Sequence, residues 1–209
     1  TNIWQESIVQ LDDKRQKIFT KITLLAVATM TALTANAEWQ LDPAASDLYF
    51  MSIKATHVGE VHSFETLGGT VDDTGRATLT VDLASVATLI PIRDQRMRDM
   101  LFEVDRYPTA TVTAQIETGP LVSMLPGSEL DIELEGDLQF KGQTNPLMTK
   151  VKVAKLNDQK VTVRTIAPVV LSAGQLRVVE GLEKLREIAG LPNISFTIPV
   201  TFNLTLIKN

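Results

Sequence analysis

An all-β protein is predicted, an antiparallel barrel of eight strands with two short helices near its rim. Three observations point there. Apolar and polar residues alternate with period two over most of the chain, the pattern of strands with one face inward. Turn signals separate these runs at short intervals, as in a meander. Only two segments switch to helical spacing, so the chain is mostly sheet. About eight strands can close into a barrel with room for one ligand, and closure removes exposed edges. A two-sheet sandwich would share the same pattern.

The chain has 209 residues, a formal net charge of −5 and no cysteine. Its length suits one domain with a full core. The acidic balance argues against a nucleic-acid surface. Without cysteine there is no disulfide framework, CxxC redox site or thiolate zinc site.

Near the start, Lys14, Arg15, Lys17 and Lys21 precede an uncharged, mostly apolar run from Ile22 to Leu33, and Thr34-Ala35-Asn36-Ala37 follows. Basic region, apolar region and A-x-A site together read as a cleavable secretory signal, cut after Ala37. The run is about a dozen residues, short of the ~20 that span a bilayer. The expected division is therefore 1–37 for extension and signal, and 38–209 for an exported domain in the periplasm without a permanent membrane span. The first 37 residues carry four bases and three acids, so the remainder has a net charge of −6.

Trp39 and Leu41 alternate with polar neighbours until Pro43. From Asp47, Leu48 and Phe50 share one face while Tyr49, Met51 and Ile53 share the other, which reads as a strand covered on both sides. Asp72-Asp73-Thr74-Gly75 is a hairpin turn. Ala77, Leu79, Val81 and Leu83 then alternate with Arg76, Thr78, Thr80 and Asp82.

Helical spacing begins at Ile92. Met97, Met100, Leu101 and Val104 form one stripe at i, i+3, i+4 and i+7. Tyr107-Pro108 is expected to end that helix, because proline drives its predecessor to extended geometry. Ala110, Val112, Ala114 and Ile116 resume the alternation.

Gly119-Pro120 and Pro126-Gly127 bracket a loop. Leu130, Ile132, Leu134, Leu138 and Phe140 then oppose an acidic outer set from Asp131 to Asp137. Lys141 to Pro146 reads as a turn, and strands follow over 147–156 and 161–171. A second helix covers Glu180 to Ala189, stopped by Gly190 and Pro192. The last strand runs from Ile194 to Leu206, with Pro199 on its outer set.

Chemistry is sparse in this pattern. His57 and His62, with Glu60 and Glu65 nearby, make a weak metal set, and loop or strand-end histidines near a turn explain them as well. No nucleophile elbow and no phosphate-binding glycine loop occur. The inward sets carry almost no polar residues, so no catalytic group, metal ligand or cofactor is assigned. Arg93, Arg96 and Arg98 are the one basic concentration in the acidic 38–209 segment. They suit a polar head group, or simple helix charge pairing such as Asp94 with Arg98.

Several separated motifs resemble the YceI-like family of exported bacterial proteins. They are D-L-x-S-V-x-T-x-I-x-I-R-D-x-R-M from Asp82, L-F-x-V-x-x-Y-P-x-A-T-V-T-A from Leu101, Trp39 to Asp42, Ser46-x-Leu48-x-Phe50, Phe64 with Leu67-x-Gly69, and Gly136-x-Leu138 with Lys141-Gly142-x-Thr144. The resemblance covers 38–207. It implies a lipocalin-like barrel with an elongated apolar pocket for a long isoprenoid or similar amphiphilic lipid. Many relatives carry a histidine directly before the serine matching Ser46, where this chain has Ala45. The segment from Glu180 to Pro192 also departs from the commonest family form.

The expected function is a periplasmic carrier for an isoprenoid or quinone-like lipid, with no enzymatic activity. The ligand-binding residues expected are Phe50, Phe64, Leu83, Met97, Leu101, Phe102, Leu138 and Phe202 in the apolar interior, with Arg93 and Arg96 at the head group. The alternatives are a small-molecule or lipid-modifying enzyme in the same barrel, and a stress or interaction protein whose core is full. Self-association into a homodimer is left open.

Overall fold

A computed structural model describes residues 37–209. The predicted signal peptide lies outside the described residues, apart from Ala37.

Twelve extended segments form one antiparallel sheet. They are β1 (Ala37–Leu41), β2 (Asp47–Lys54), β3 (Val58–Phe64), β4 (Leu67–Asp72), β5 (Arg76–Asp82), β6 (Val86–Ala87), β7 (Thr109–Gln115), β8 (Glu129–Phe140), β9 (Gln143–Asn157), β10 (Lys160–Thr165), β11 (Val169–Ser172) and β12 (Thr197–Lys208). Several are halves of one bent strand. β1 and β2 are interrupted by a 3-10 turn at Pro43–Ala45, and β5 and β6 by another at Leu83–Ser85. β2 pairs β3 while β1 pairs β4, and β12 pairs β11 and β10 as well as β2 and β1. Joining the halves gives eight strands in meander order, closed where β12 meets β1.

The bends are held by side chains. Asp42 caps the first 3-10 turn through Ala44 N–H. The Ser46 hydroxyl donates to Asp42 O (2.7 Å) and accepts from Thr205 N–H (3.0 Å), while Thr205 Oγ1 donates to Ala45 O. The bonds at Thr205 N–H and Ala45 O satisfy backbone groups at the bend with side chains.

The meander sorts the connections to two ends. At one end lie the β2–β3 turn, the long β6–β7 connection, the β8–β9 turn and the β11–β12 connection. The β4–β5, β7–β8 and β9–β10 connections lie at the other. Helix α1 (Pro91–Arg96) and its continuation, a π-helical turn at Met97–Phe102, belong to the first end. So does α3 (Val179–Ile188). The two pack closely: a Cβ at Gly181 would sit 2.5 Å from Met100 O, so only glycine fits there. A third helix, α2 (Thr118–Val122), sits at the opposite end, in the segment read from sequence as a plain loop.

Four local expectations are corrected. The first helix ends at Phe102, not at Tyr107-Pro108, because Glu103 adopts left-handed geometry (φ 54°) and closes it. The β8–β9 turn is only Lys141-Gly142 (φ 47° and 71°), and the positive φ of both residues permits a two-residue hairpin. β9 therefore starts at Gln143, and Pro146 sits within it opposite Asp137. The last strand starts at Thr197. Ile194 makes only an isolated bridge with Lys54, and Phe196 O accepts from Ala173 N–H instead of continuing the ladder. The outer face of β2 is not covered: Tyr49 and Met51 are 42% and 37% exposed, because both longer helices cap the barrel end.

Candidate ligand-binding site

The barrel encloses a cavity of about 850 Å³ that runs toward both ends, and its wall is overwhelmingly apolar. Ligand pockets commonly span ~300–1,000 Å³, so this one is large. A filled core, one of the alternatives weighed from sequence, does not describe this molecule.

The inward sets build the wall. On β8, Leu138 and Phe140 are buried while Asp137 and Gln139 face out, as period two requires. Leu83 is fully buried where β5 bends into its 3-10 turn. Met97, Leu101 and Phe102 come from the π turn and border the cavity at the first end, beside its mouth. Phe50, Phe64 and Phe202 enter from β2, β3 and β12. The rings form a chain: Phe50–Phe64 at 5.3 Å, Phe64–Phe102 at 5.7 Å and Phe102–Phe140 at 6.3 Å between centroids. Tilted and edge-on contacts of this length are favourable.

All ten residues singled out from sequence, Arg93 and Arg96 among them, border this one cavity.

The interior is not free of polar groups, contrary to the expectation from sequence. Near the first end, β2 and β3 turn Ser52, Lys54, Glu60 and His62 toward the cavity. Lys54 Nζ and Arg93 Nη1 each lie 2.8 Å from Glu60 Oε2. Arg93 also donates from Nε to Thr88 Oγ1 (2.8 Å) and from Nη2 to Thr88 O (2.7 Å). Asp94 Oδ1 accepts from Thr88 N–H (2.9 Å) and from its hydroxyl (2.5 Å). Arg93 and Asp94 thus lock the segment in front of their own helix.

Burial pushes the Glu60 carboxyl up, but the hydrogen bond from Lys54 and the charge of Arg93 outweigh it and hold the group below its ordinary value. His62 is only 4% exposed. Burial, then the nearby Arg93 charge, lower its pKa and keep the ring neutral near pH 7. Its Nε2 lies 2.8 Å from Ser52 Oγ, and its buried Nδ1 has no partner among the described residues. A serine and histidine in contact are two members of a hydrolytic triad. The group that would orient the imidazole through Nδ1 is missing among the described residues, so the pair has no catalytic geometry.

The three arginines have separate roles. Arg93 is committed to Glu60 and Thr88. Arg98 is bonded to Gln95 Oε1 and Ala84 O, so the expected Asp94–Arg98 pairing does not form. The Arg96 side chain borders the cavity and makes no hydrogen bond or ion pair with the described residues. His57 lies in the β2–β3 turn, as a loop histidine would, whereas His62 sits within β3 and is buried, which corrects the reading of that residue alone.

Family comparison agrees with this architecture. The model of the YceI-like domain matches residues 39–206. The chain belongs to the YceI-like family. A polyisoprenoid binding domain from Saccharophagus degradans, implicated in plant cell wall breakdown, is 34% identical. It superposes with a TM-score of 0.82 over 83% of this chain and 100% of that one. BcnA from Burkholderia cenocepacia, 20% identical, matches with a TM-score of 0.61 over 79% of this chain and 98% of its own. A Campylobacter jejuni YceI protein, 16% identical, reaches 0.52 over 71% and 84%. The last two share the fold. No curated protein matches the sequence. Within this family an eight-stranded antiparallel barrel with a few short helices is the shared frame, and family members are generally binding proteins rather than enzymes.

Proposed function

We propose that this protein carries a long-chain isoprenoid or quinone-like lipid in the periplasm, with its chain inside the barrel. The observation that carries this is an apolar cavity of about 850 Å³ in a closed barrel whose 34%-identical relative is a polyisoprenoid binding domain. The basic, apolar and A-x-A pattern before Glu38 supports export.

The mechanism is burial. Each CH₂ transferred from water contributes ~0.8 kcal/mol, so a long hydrocarbon binds tightly with few polar contacts. The head group lies at the end that carries Ser52, Lys54, Glu60, Arg93 and Arg96. Arg96 has its donors free of the described residues, whereas Arg93 is held by Glu60 and Thr88 and shapes the site around it.

Native mass spectrometry of protein purified from the periplasm tests this directly. A co-purifying long-chain lipid, released on denaturation and identified in the extract, is the expected result. A consistently empty protein that also takes up no isoprenoid from detergent solution would overturn the reading.

A further inference from the structure

Leu89 is 94% exposed and sits in the left-handed region (φ 63°), where a side chain larger than glycine is strained. A flexible loop would relax that strain. This one is fixed, because Thr88 immediately before it is held through its N–H, hydroxyl and carbonyl by Asp94 and Arg93. Just after it, Ile90 O accepts from Arg93 N–H and Asp94 N–H (2.9 and 3.0 Å). The backbone is thus built to hold an isolated leucine out in water. Strain maintained by surrounding bonds points toward function.

The neighbours extend the pattern. Ile90 and Ile92 are exposed and at the same time border the cavity, so apolar surface is continuous from the Leu89 tip to the barrel interior. Arg96, one turn beyond Ile92 and unpaired with the described residues, supplies positive charge beside that surface. An apolar tip next to a free cation suits the boundary between head groups and acyl chains of an anionic bilayer. The exported domain carries −6 overall, so attraction to such a bilayer is local, and at this edge Arg96 supplies it.

We propose that the Leu89–Ile92 segment docks on a lipid bilayer surface, placing the cavity mouth against the membrane from which the lipid is loaded. The proposal rests on the lipid-carrier reading for its purpose, but the docking itself can be measured without cavity ligand.

Flotation with vesicles of phosphatidylethanolamine and phosphatidylglycerol decides it. The wild-type protein floats with the vesicles. Leu89→Glu lowers the bound fraction on the order of tenfold or more, the range expected for losing one buried leucine. Leu89→Gly also lowers it while raising the melting temperature, because glycine accepts the left-handed geometry without strain. This second variant separates lost docking from lost folding. Leu125→Glu, at another exposed leucine (75%) in the β7–β8 connection at the opposite end, floats like wild type. Occupancy by an isoprenoid supplied in detergent is read in parallel and is the same in wild type and Leu89→Glu, since Leu89 does not line the cavity. Failure of the wild type to float, undiminished flotation of Leu89→Glu, or loss confined to Leu125→Glu would overturn the proposal. Absence of isoprenoid from the wild type would overturn the carrier reading alone, because flotation does not depend on it.

Discussion

Arg93 Nη1 lies 2.8 Å from Glu60 Oε2, joining helix α1 to strand β3 across the mouth of the barrel. The same carboxylate oxygen receives Lys54 from β2, also at 2.8 Å. One acid therefore ties together two strands and the helix above them. The pair is partly exposed, with 23% and 27% of the side-chain surfaces open. Its value lies in the set of hydrogen bonds it organises rather than in a bare ion pair.

Arg93→Met should accordingly destabilise the protein by about 2 kcal/mol, because Glu60 and Thr88 lose charge-assisted and neutral bonds together. Glu60→Gln should cost less, since the amide still accepts from one cation. Urea unfolding of both variants and the double variant checks this. The coupling should be clearly non-zero, as for residues in one network. Strict additivity would show that the two groups act independently.

His62 predicts a pH response of definite sign. Its folded pKa is lowered, by burial first and by Arg93 second. The unfolded chain therefore binds a proton at its ordinary value of about 6.5, before the folded chain does. Stability from this residue is fully present above that pH and is lost as pH falls toward the folded value. Glu60, also lowered, contributes in the same direction at more acidic pH. Between pH 7 and 5 the wild-type melting temperature should fall more steeply than that of His62→Phe. Parallel pH profiles would show that the imidazole stays neutral in both states or charged in both.

This polar end is where reading the sequence went least far. On β8 every apolar residue falls on one parity and every acid on the other, so its inward face could be read directly. On β2 the parity that carries Leu48 and Phe50 continues into Ser52 and Lys54. On β3 the parity of Phe64 continues back through His62 and Glu60. Those four residues belonged to the inward sets by the same rule that identified Phe50. Apolar Tyr49 and Met51 on the opposite parity masked it, since they made both faces of β2 look covered. The end of the first helix was hidden for another reason. Proline at 108 marks where a helix cannot continue, but Glu103 stops it earlier through left-handed geometry, which no residue type announces. The strand count was recoverable because the bends at Pro43–Ala45 and Leu83–Ser85 do not change which strands are neighbours.

Gly181 is the contact point between α3 and the π turn. A methyl group there would lie 2.5 Å from Met100 O and 3.0 Å from Leu101 Cα, both backbone atoms that cannot swing aside. Gly181→Ala should gain a little helix propensity and lose more through displacement of α3, for a net destabilisation of about 1–3 kcal/mol. Because Leu182 and Leu185 of α3 border the cavity, lipid occupancy should fall as well. Thermal melting and native mass spectrometry of the variant measure the two effects. Unchanged stability would mean that the two helices can separate without cost.

Filling the cavity from within tests the carrier reading without removing any contact. Val112 on β7 is half-buried, borders the cavity and pairs with Leu79 and Leu138 on the flanking strands. Enlarging a residue in a packed core normally costs about 1–3 kcal/mol, because neighbours are forced off their rotamers. Here the added ring of Val112→Trp enters space that is open in the folded barrel, and it covers apolar surface already facing that space. Its melting temperature should therefore stay within a few degrees of wild type or rise. Isoprenoid occupancy, read by native mass spectrometry, should drop severalfold because the added ring occupies volume that the ligand chain needs. Arg98→Ala provides the comparison. It removes a half-buried side chain that does not border the cavity, and occupancy should remain at the wild-type level. A tryptophan variant that folds normally and retains full occupancy would show that the ligand does not use the interior at β7. A variant that unfolds would show that the wall there is already in contact across the barrel.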